Sequence, residues 1–187
     1  MLAADTNLHF SYKMYKKPVK KEQFRDALAR CLRRTSFQNV TISDLSKESG
    51  VSRVTFYRYF DNTTDVLEYL CDSLFDEAQQ HPELMNSNGD ALFVNLLSFL
   101  MERTDLLEAI YNSRRLDIFQ RSLSSHINDL SKTILGEASE IEAAYLKAAY
   151  GTAFASALAG IISVWAEHGR KESPEQILAI FKKRAIL

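Results

Sequence analysis

Glycine and proline are scarce in this chain, six and three among 187 residues, and alternating Val, Ile and Thr runs are scarcer. That excludes collagen-like and Pro- or Gly-rich disordered architectures and disfavours a sheet, whose strands need frequent turn punctuation. There are only two cysteines, Cys31 and Cys71, forty positions apart and without CxxC spacing. A disulfide framework is therefore not expected, and both read as buried thiols in a reducing cytoplasm. The four histidines, His9, His81, His126 and His168, are scattered, and none pairs at the i+4 spacing of a helical metal site. No metal or other cofactor is expected. A nucleophile elbow, a Gly-rich phosphate loop and a paired-His motif are all missing, which argues against an enzyme.

Charge of one sign is not in excess, since the net charge is -1. The balance hides a division, however. Residues 1–60 carry twelve Lys and Arg against five Asp and Glu, a net +7, whereas residues 61–187 carry eleven against nineteen, a net -8. A basic head attracts phosphate while an acidic body is repelled by it, so the asymmetry orients the protein on a polyanion. A solvated lysine-rich face accounts for part of the same excess. The nineteen residues from Ala148 to Ala166 carry no charge, yet Tyr150, Gly151, Thr152, Ser156, Gly160 and Ser163 interrupt them. They read as a helix covered on both sides in a soluble protein, not as a membrane span. The first thirty residues are too polar for a secretory signal.

What is present is helical periodicity and enough hydrophobic residues, 46%, to build a core, so the chain is expected to be all-α. Residues 1–16 read as an extended or disordered arm, 17–62 as a small head and 63–187 as a helical body. Pro18 suits the first turn of a helix over 18–35 with the stripe Phe24, Leu28, Cys31 and Leu32. Thr41, with Asp44 three residues on, caps a second helix that Gly50 ends, and Ser52 caps a third over 53–60. The two are joined by the turn Ser49-Gly50-Val51-Ser52, which makes a helix-turn-helix. Val51, Val54 and Phe60 are expected to hold the third helix to the first two. A fourth helix, 63–80, places Val66, Leu67, Leu70, Leu74 and Phe75 inward. The stretch from His81 to Gly89 reads as a loop and hinge. Further helices are expected at 89–102, 104–112, 115–135, 139–169 and 174–184.

The third helix carries a polar face suited to a major groove: Arg53 and Thr55 can reach base edges, and tyrosine hydroxyls can reach phosphates. Thr41 and Lys47 are candidate backbone contacts, beside the capping Ser52. The ordered combination of Phe37, Val40-Thr41, Gly50-Val51-Ser52, Thr55-Phe56-Tyr57 and Tyr59-Phe60 closely resembles the DNA-binding domain of the TetR (tetracycline repressor) family, over about residues 18–75. The resemblance implies a DNA-facing surface at Arg53, Thr55, Tyr57, Arg58 and Tyr59; the alternative for Tyr57 and Tyr59 is that one packs inside the head. Two departures stand out. Thr63 and Thr64 occupy the stretch where many members carry a phosphate-contacting lysine, and Ser36 replaces a common glycine. The arm residues Lys13, Lys16, Lys17, Lys20 and Lys21 can compensate.

In the body, Phe154, Leu158, Ile161, Ile162 and Trp165 form a bulky stripe, opposite a small-residue stripe of Thr152, Ala155, Ala159, Ser163 and Ala166. One stripe is expected to pack inside the subunit and the other, with helix 174–184, against a second copy; the alternative is that one chain covers both. An effector pocket, for an apolar or aromatic small molecule, has Phe75, Met85, Phe93, Leu97, Met101, Tyr111, Phe119, His126, Tyr145 and Tyr150 as candidates, the alternative for each being ordinary core packing. Expected partners are thus double-stranded DNA, a second copy and that effector, with no membrane. The function expected is a ligand-responsive repressor on a palindromic operator, the alternative being an activator or accessory factor working through a protein partner.

Overall fold

The computed structural model describes residues 20–134 and 140–183, with the side chains of 105, 127–141, 143 and 146–151 outside the description. The expected arm at 1–16, Pro18 and Gly136 lie outside the described residues. Among those residues the chain forms ten α-helices and no strand. They are α1 (Lys20–Leu32), α2 (Ile42–Ser49), α3 (Arg53–Phe56), α4 (Thr63–Gln79), α5 (Pro82–Met85), α6 (Gly89–Glu102), α7 (Thr104–Asn112), α8 (Leu116–Ile134), α9 (Glu140–Glu167) and α10 (Pro174–Lys183). No helix among the described residues is long and apolar enough to cross a membrane.

The expected α1 stripe, Phe24, Leu28, Cys31 and Leu32, is buried, with Ala27 between its members. Since α1 packs against α2 and α3 and also against α4 and α7, it touches head and body together. Asn62 starts α4 by accepting hydrogen bonds from the N–H groups of Thr64 (2.8 Å) and Asp65 (3.2 Å). The Asp65 carboxylate accepts in return from the N–H of Asp61 and Asn62, so the exposed end of α4 is closed from both directions. Along α4, Val66, Leu67, Leu70, Leu74 and Phe75 are all buried. Phe60 and Tyr69 meet at 5.9 Å between ring centroids, which places the first turns of α4 in the head's aromatic cluster.

The stretch read as a loop and hinge contains the single-turn helix α5. Pro82 sits in its first turn, Leu84 is buried, and the His81 ring meets Phe99 edge-on at 5.5 Å. Pro82 lacks only an N–H that a first turn leaves unpaired anyway, so loop-forming residues here start a turn of helix. A polar ladder joins α4 to α8: Glu68 pairs with Arg121 (3.3 Å), Asp72 accepts from the Ser122 hydroxyl, and Asp76 lies 3.2 Å from His126 Nε2.

On α9 the two expected stripes are not the true division. Ala155, Leu158, Ala159, Ile162 and Trp165 form one buried face that draws from both. The exposed face runs through Ala153, Ala157, Gly160 and Val164. Nearly every residue of this helix is apolar or small, so composition does not mark a face, and packing against α8 decides it. Gly169, at φ 78°, ends the helix. α10 folds back by Ile177, by Phe181 edge-on to Phe93 (6.0 Å) and by the Lys182–Asp90 ion pair with α6.

Candidate nucleic-acid interface

Thr41 begins α2 as the sequence predicts: its Oγ1 accepts from the Asp44 N–H (3.2 Å), and Asp44 Oδ2 accepts from the Thr41 N–H (2.9 Å) and hydroxyl (2.6 Å). These bonds from Thr41 hold the Asp44 carboxyl below the usual carboxylate range. α2 ends at Gly50, whose φ of 70° is left-handed; a Cβ there would meet nothing within 4 Å. Backbone conformation, not space, therefore calls for glycine. Ser52 caps α3 by accepting from the Thr55 N–H (3.3 Å), and the two hydroxyls lie 3.0 Å apart.

α3 is shorter than the expected 53–60. After Phe56 the chain tightens, with the N–H groups of Tyr59 (2.9 Å) and Phe60 (3.0 Å) both reaching the Phe56 carbonyl. That turn brings Phe60 inward beside Phe56 (5.5 Å) and Phe24 (6.2 Å), while Phe24 and Phe56 meet edge to face at 5.1 Å. Arg53, Tyr57, Arg58 and Tyr59 are left exposed, with Thr55 half-buried. Both tyrosines point outward, Tyr57 resting edge-on against Phe56 (5.6 Å). Arg53 and Arg58 make no side-chain hydrogen bond or ion pair among the described residues, and Lys47 is exposed on α2.

Val54, expected to anchor α3, is instead 71% exposed. It lies two residues before the buried Phe56, roughly 200° around the helix, so the two cannot share a face. The spacing to Phe56 is the signal that could have placed it. Val54 therefore joins the outward set and offers an apolar surface of the kind that meets a thymine methyl group.

Two further ties are not visible in the sequence. The Lys21 ammonium sits over the Tyr69 ring at 4.0 Å, clamping α1 to α4. Glu48 of α2 receives Arg30 (2.8 Å) and Arg34, the latter just beyond the end of α1. Arg34, then Arg30, holds the Glu48 carboxyl below its ordinary range. A group with a depressed folded pKa contributes stability above its unfolded value and loses it as pH falls. Wild type should thus lose thermal stability more steeply than Glu48→Gln as pH drops through about 4, measured by melting at a series of pH values; parallel curves would show that Glu48 contributes nothing.

Of the residues expected to line an effector pocket, Phe75, Phe93, Leu97 and Phe119 are core, with Phe75 and Phe119 5.2 Å apart. Met101 packs partly buried against them. Tyr111 is half-buried, its hydroxyl 3.4 Å from Glu167 Oε1, and it lines a cleft. Tyr150 lies on α9 with its side chain outside the described residues.

Comparison with known proteins agrees with this geometry. Residues 24–70 match the family model "Bacterial regulatory proteins, tetR family", and residues 87–185 match "Transcriptional regulator C-terminal region". No curated protein matches significantly. Among solved structures, Lin0861 from Listeria innocua is 18% identical with a TM-score of 0.75, covering 89% of this chain and 88% of its own. The dihydroxyacetone kinase operon activator DhaS is 19% identical with a TM-score of 0.50, over 90% and 94%. The TetR family repressor AlkX from Dietzia sp., implicated in biodegradation of n-alkanes, is 19% identical with a TM-score of 0.50, over 84% and 88%. The second model alone spans more than half of the chain, and with the helix-turn-helix before it the chain belongs to the TetR family of transcriptional regulators.

Proposed function

We propose that this regulator binds a palindromic operator as a homodimer, with Arg53, Val54, Thr55, Tyr57, Arg58 and Tyr59 entering the major groove and Lys47, beside the capped Thr41 and Ser52, meeting the backbone. The observation that carries this is the outward set on α3 and its turn, where two tyrosines and two guanidiniums, unpaired among the described residues, are exposed while Phe56 and Phe60 beneath them are buried. A solvated face needs charge but has no need of Val54. Base contacts set sequence preference, whereas phosphate contacts act on all sequences. With an operator selected from random DNA, Arg53→Ala and Thr55→Ala should each cost roughly 1–3 kcal/mol on the best site and relax its sequence, while Lys47→Ala weakens all DNA alike. Fluorescence anisotropy on selected and scrambled duplexes separates these, and an equal loss on both for all three variants would refute the assignment.

The second copy is placed on the exposed face of α9 and α10. Ala157, Gly160, Ile161, Val164, Ile180 and Phe181 line an apolar groove of about 480 Å³ there, and the small residues allow helices to approach closely. Repression relieved by an apolar or aromatic effector is the regulatory mode we favour, with the body residues from Phe75 to Phe119 opening to admit it and α4 carrying the change to the head. The activator mode rests on Thr63 and Thr64, which leave the start of α4 without a cationic phosphate anchor.

A further inference from the structure

A second opening lies away from that core. Where α1 meets the body, an open cleft of about 640 Å³ is bordered by the end of α1, the α7–α8 turn and α9. Its apolar parts are Leu32 and Leu116, and its polar wall includes Arg34, Tyr111, Asn112 and Arg114. Arg114 has a left-handed backbone at φ 55°, a conformation unusual for a residue with a side chain. Its guanidinium makes no hydrogen bond or ion pair among the described residues. The adjacent Arg115, by contrast, is held by two bonds to Asp117. Glu167, the cleft's carboxylate, faces the Tyr111 hydroxyl, and Arg34 is engaged by Glu48 of α2.

We infer that this cleft binds a small organic oxyanion, a carboxylate or a phosphate ester, between Arg114 and Arg34. Arg114 is the cleft's guanidinium left unpaired among the described residues, and Arg34 becomes available as an oxyanion displaces Glu48 from it; planar guanidinium forks match oxyanions, and Leu32 and Leu116 take a modest apolar body. An oxyanion arriving at Arg34 competes with Glu48, so occupancy bears directly on the tie between α1 and α2. The site differs in ligand charge from the effector proposed for the core, and of that effector's expected residues only Tyr111 lines it.

The test uses the free full-length chain, so its outcome does not depend on operator binding. Benzoate against benzamide, and phenyl phosphate against phenol, are titrated by NMR. The anions are expected to bind at millimolar or tighter Kd and the neutral partners at least roughly tenfold more weakly. The better of the two anions identifies the headgroup. Arg114→Gln and Arg34→Gln should each weaken the anion roughly tenfold or more. Glu48→Gln, which frees Arg34, should tighten it roughly two- to fivefold. Arg114→Gly guards against unfolding, because glycine suits this φ: it should lose the anion while keeping its Tm. Equal binding of neutral and charged partners, no anion binding at about ten times the millimolar range, or anion affinity unchanged by Arg114→Gly or by Glu48→Gln would overturn the proposal.

Discussion

Ile180→Glu should split the proposed dimer and reduce operator affinity by at least about a hundredfold, because the second half-site would no longer be held at high effective concentration. Ile180 and Val164 are 58% and 51% exposed on the outer face of α9 and α10. A carboxylate set into an apolar contact loses water without gaining a partner, which costs several times a typical surface substitution. In a monomer the same glutamate stays in water, so the fold should be unaffected. Sedimentation at micromolar concentration, beside anisotropy on the full palindrome and on one half-site, measures both effects. Wild type that sediments as a monomer, or Ile180→Glu that stays dimeric, would remove this surface from consideration.

Phe56→Ala should cost about 3–5 kcal/mol, the usual loss for a buried aromatic truncated to alanine. Phe56 is fully buried and meets Phe24, Phe60 and Tyr57 within 5.6 Å between ring centroids. Phe24, Leu28, Leu45 and Phe60 share the head's core with it, and whole domains are stable by only about 5–15 kcal/mol, so the loss takes a large fraction of the total. The recognition turn should therefore come apart and specific DNA binding vanish, while the body keeps most of its helicity. Val54→Ala is the counterpart, expected to change stability by less than about 0.5 kcal/mol because the side chain is exposed. Urea titrations of both variants decide it. Comparable losses for the two would mean that α3 is rotated so that Val54 also faces the core.

The helix order is readable because its signals are local. Thr41 with Asp44, Gly50 and Ser52 act within four residues of themselves, and they form the caps and the left-handed turn expected of them. Val54 is the exception although its signal is also local: a valine in a short helix reads as inward until Phe56, two residues on, is chosen as the anchor. On α9, Ala155 and Ala159 fall with either stripe because small residues pack well on both sides, and only the arrangement of α8 settles which. The clamp of Lys21 on Tyr69 and the shared Glu48 join residues between 14 and 48 positions apart. No periodicity reports such pairs. The cleft at Arg114 depends on three separate segments meeting, and nothing in one of them announces the others.

The sharing of α4 between two layers bears on how such regulators can recombine. Its cap, Asn62 with Asp65, lies where the sequence leads one to expect the small domain to end, yet Tyr69 still belongs to the aromatic cluster of Phe60 and Lys21. The matched N-terminal family model likewise runs on to residue 70. A gene fusion that exchanged operator specificity by cutting at residue 62 would leave the incoming domain without the ring that closes it. Crossovers between relatives are compatible with folding only if the first two turns of this helix travel with the helix-turn-helix, so the residues proposed to read DNA and the upper half of the connecting helix would be inherited as one unit.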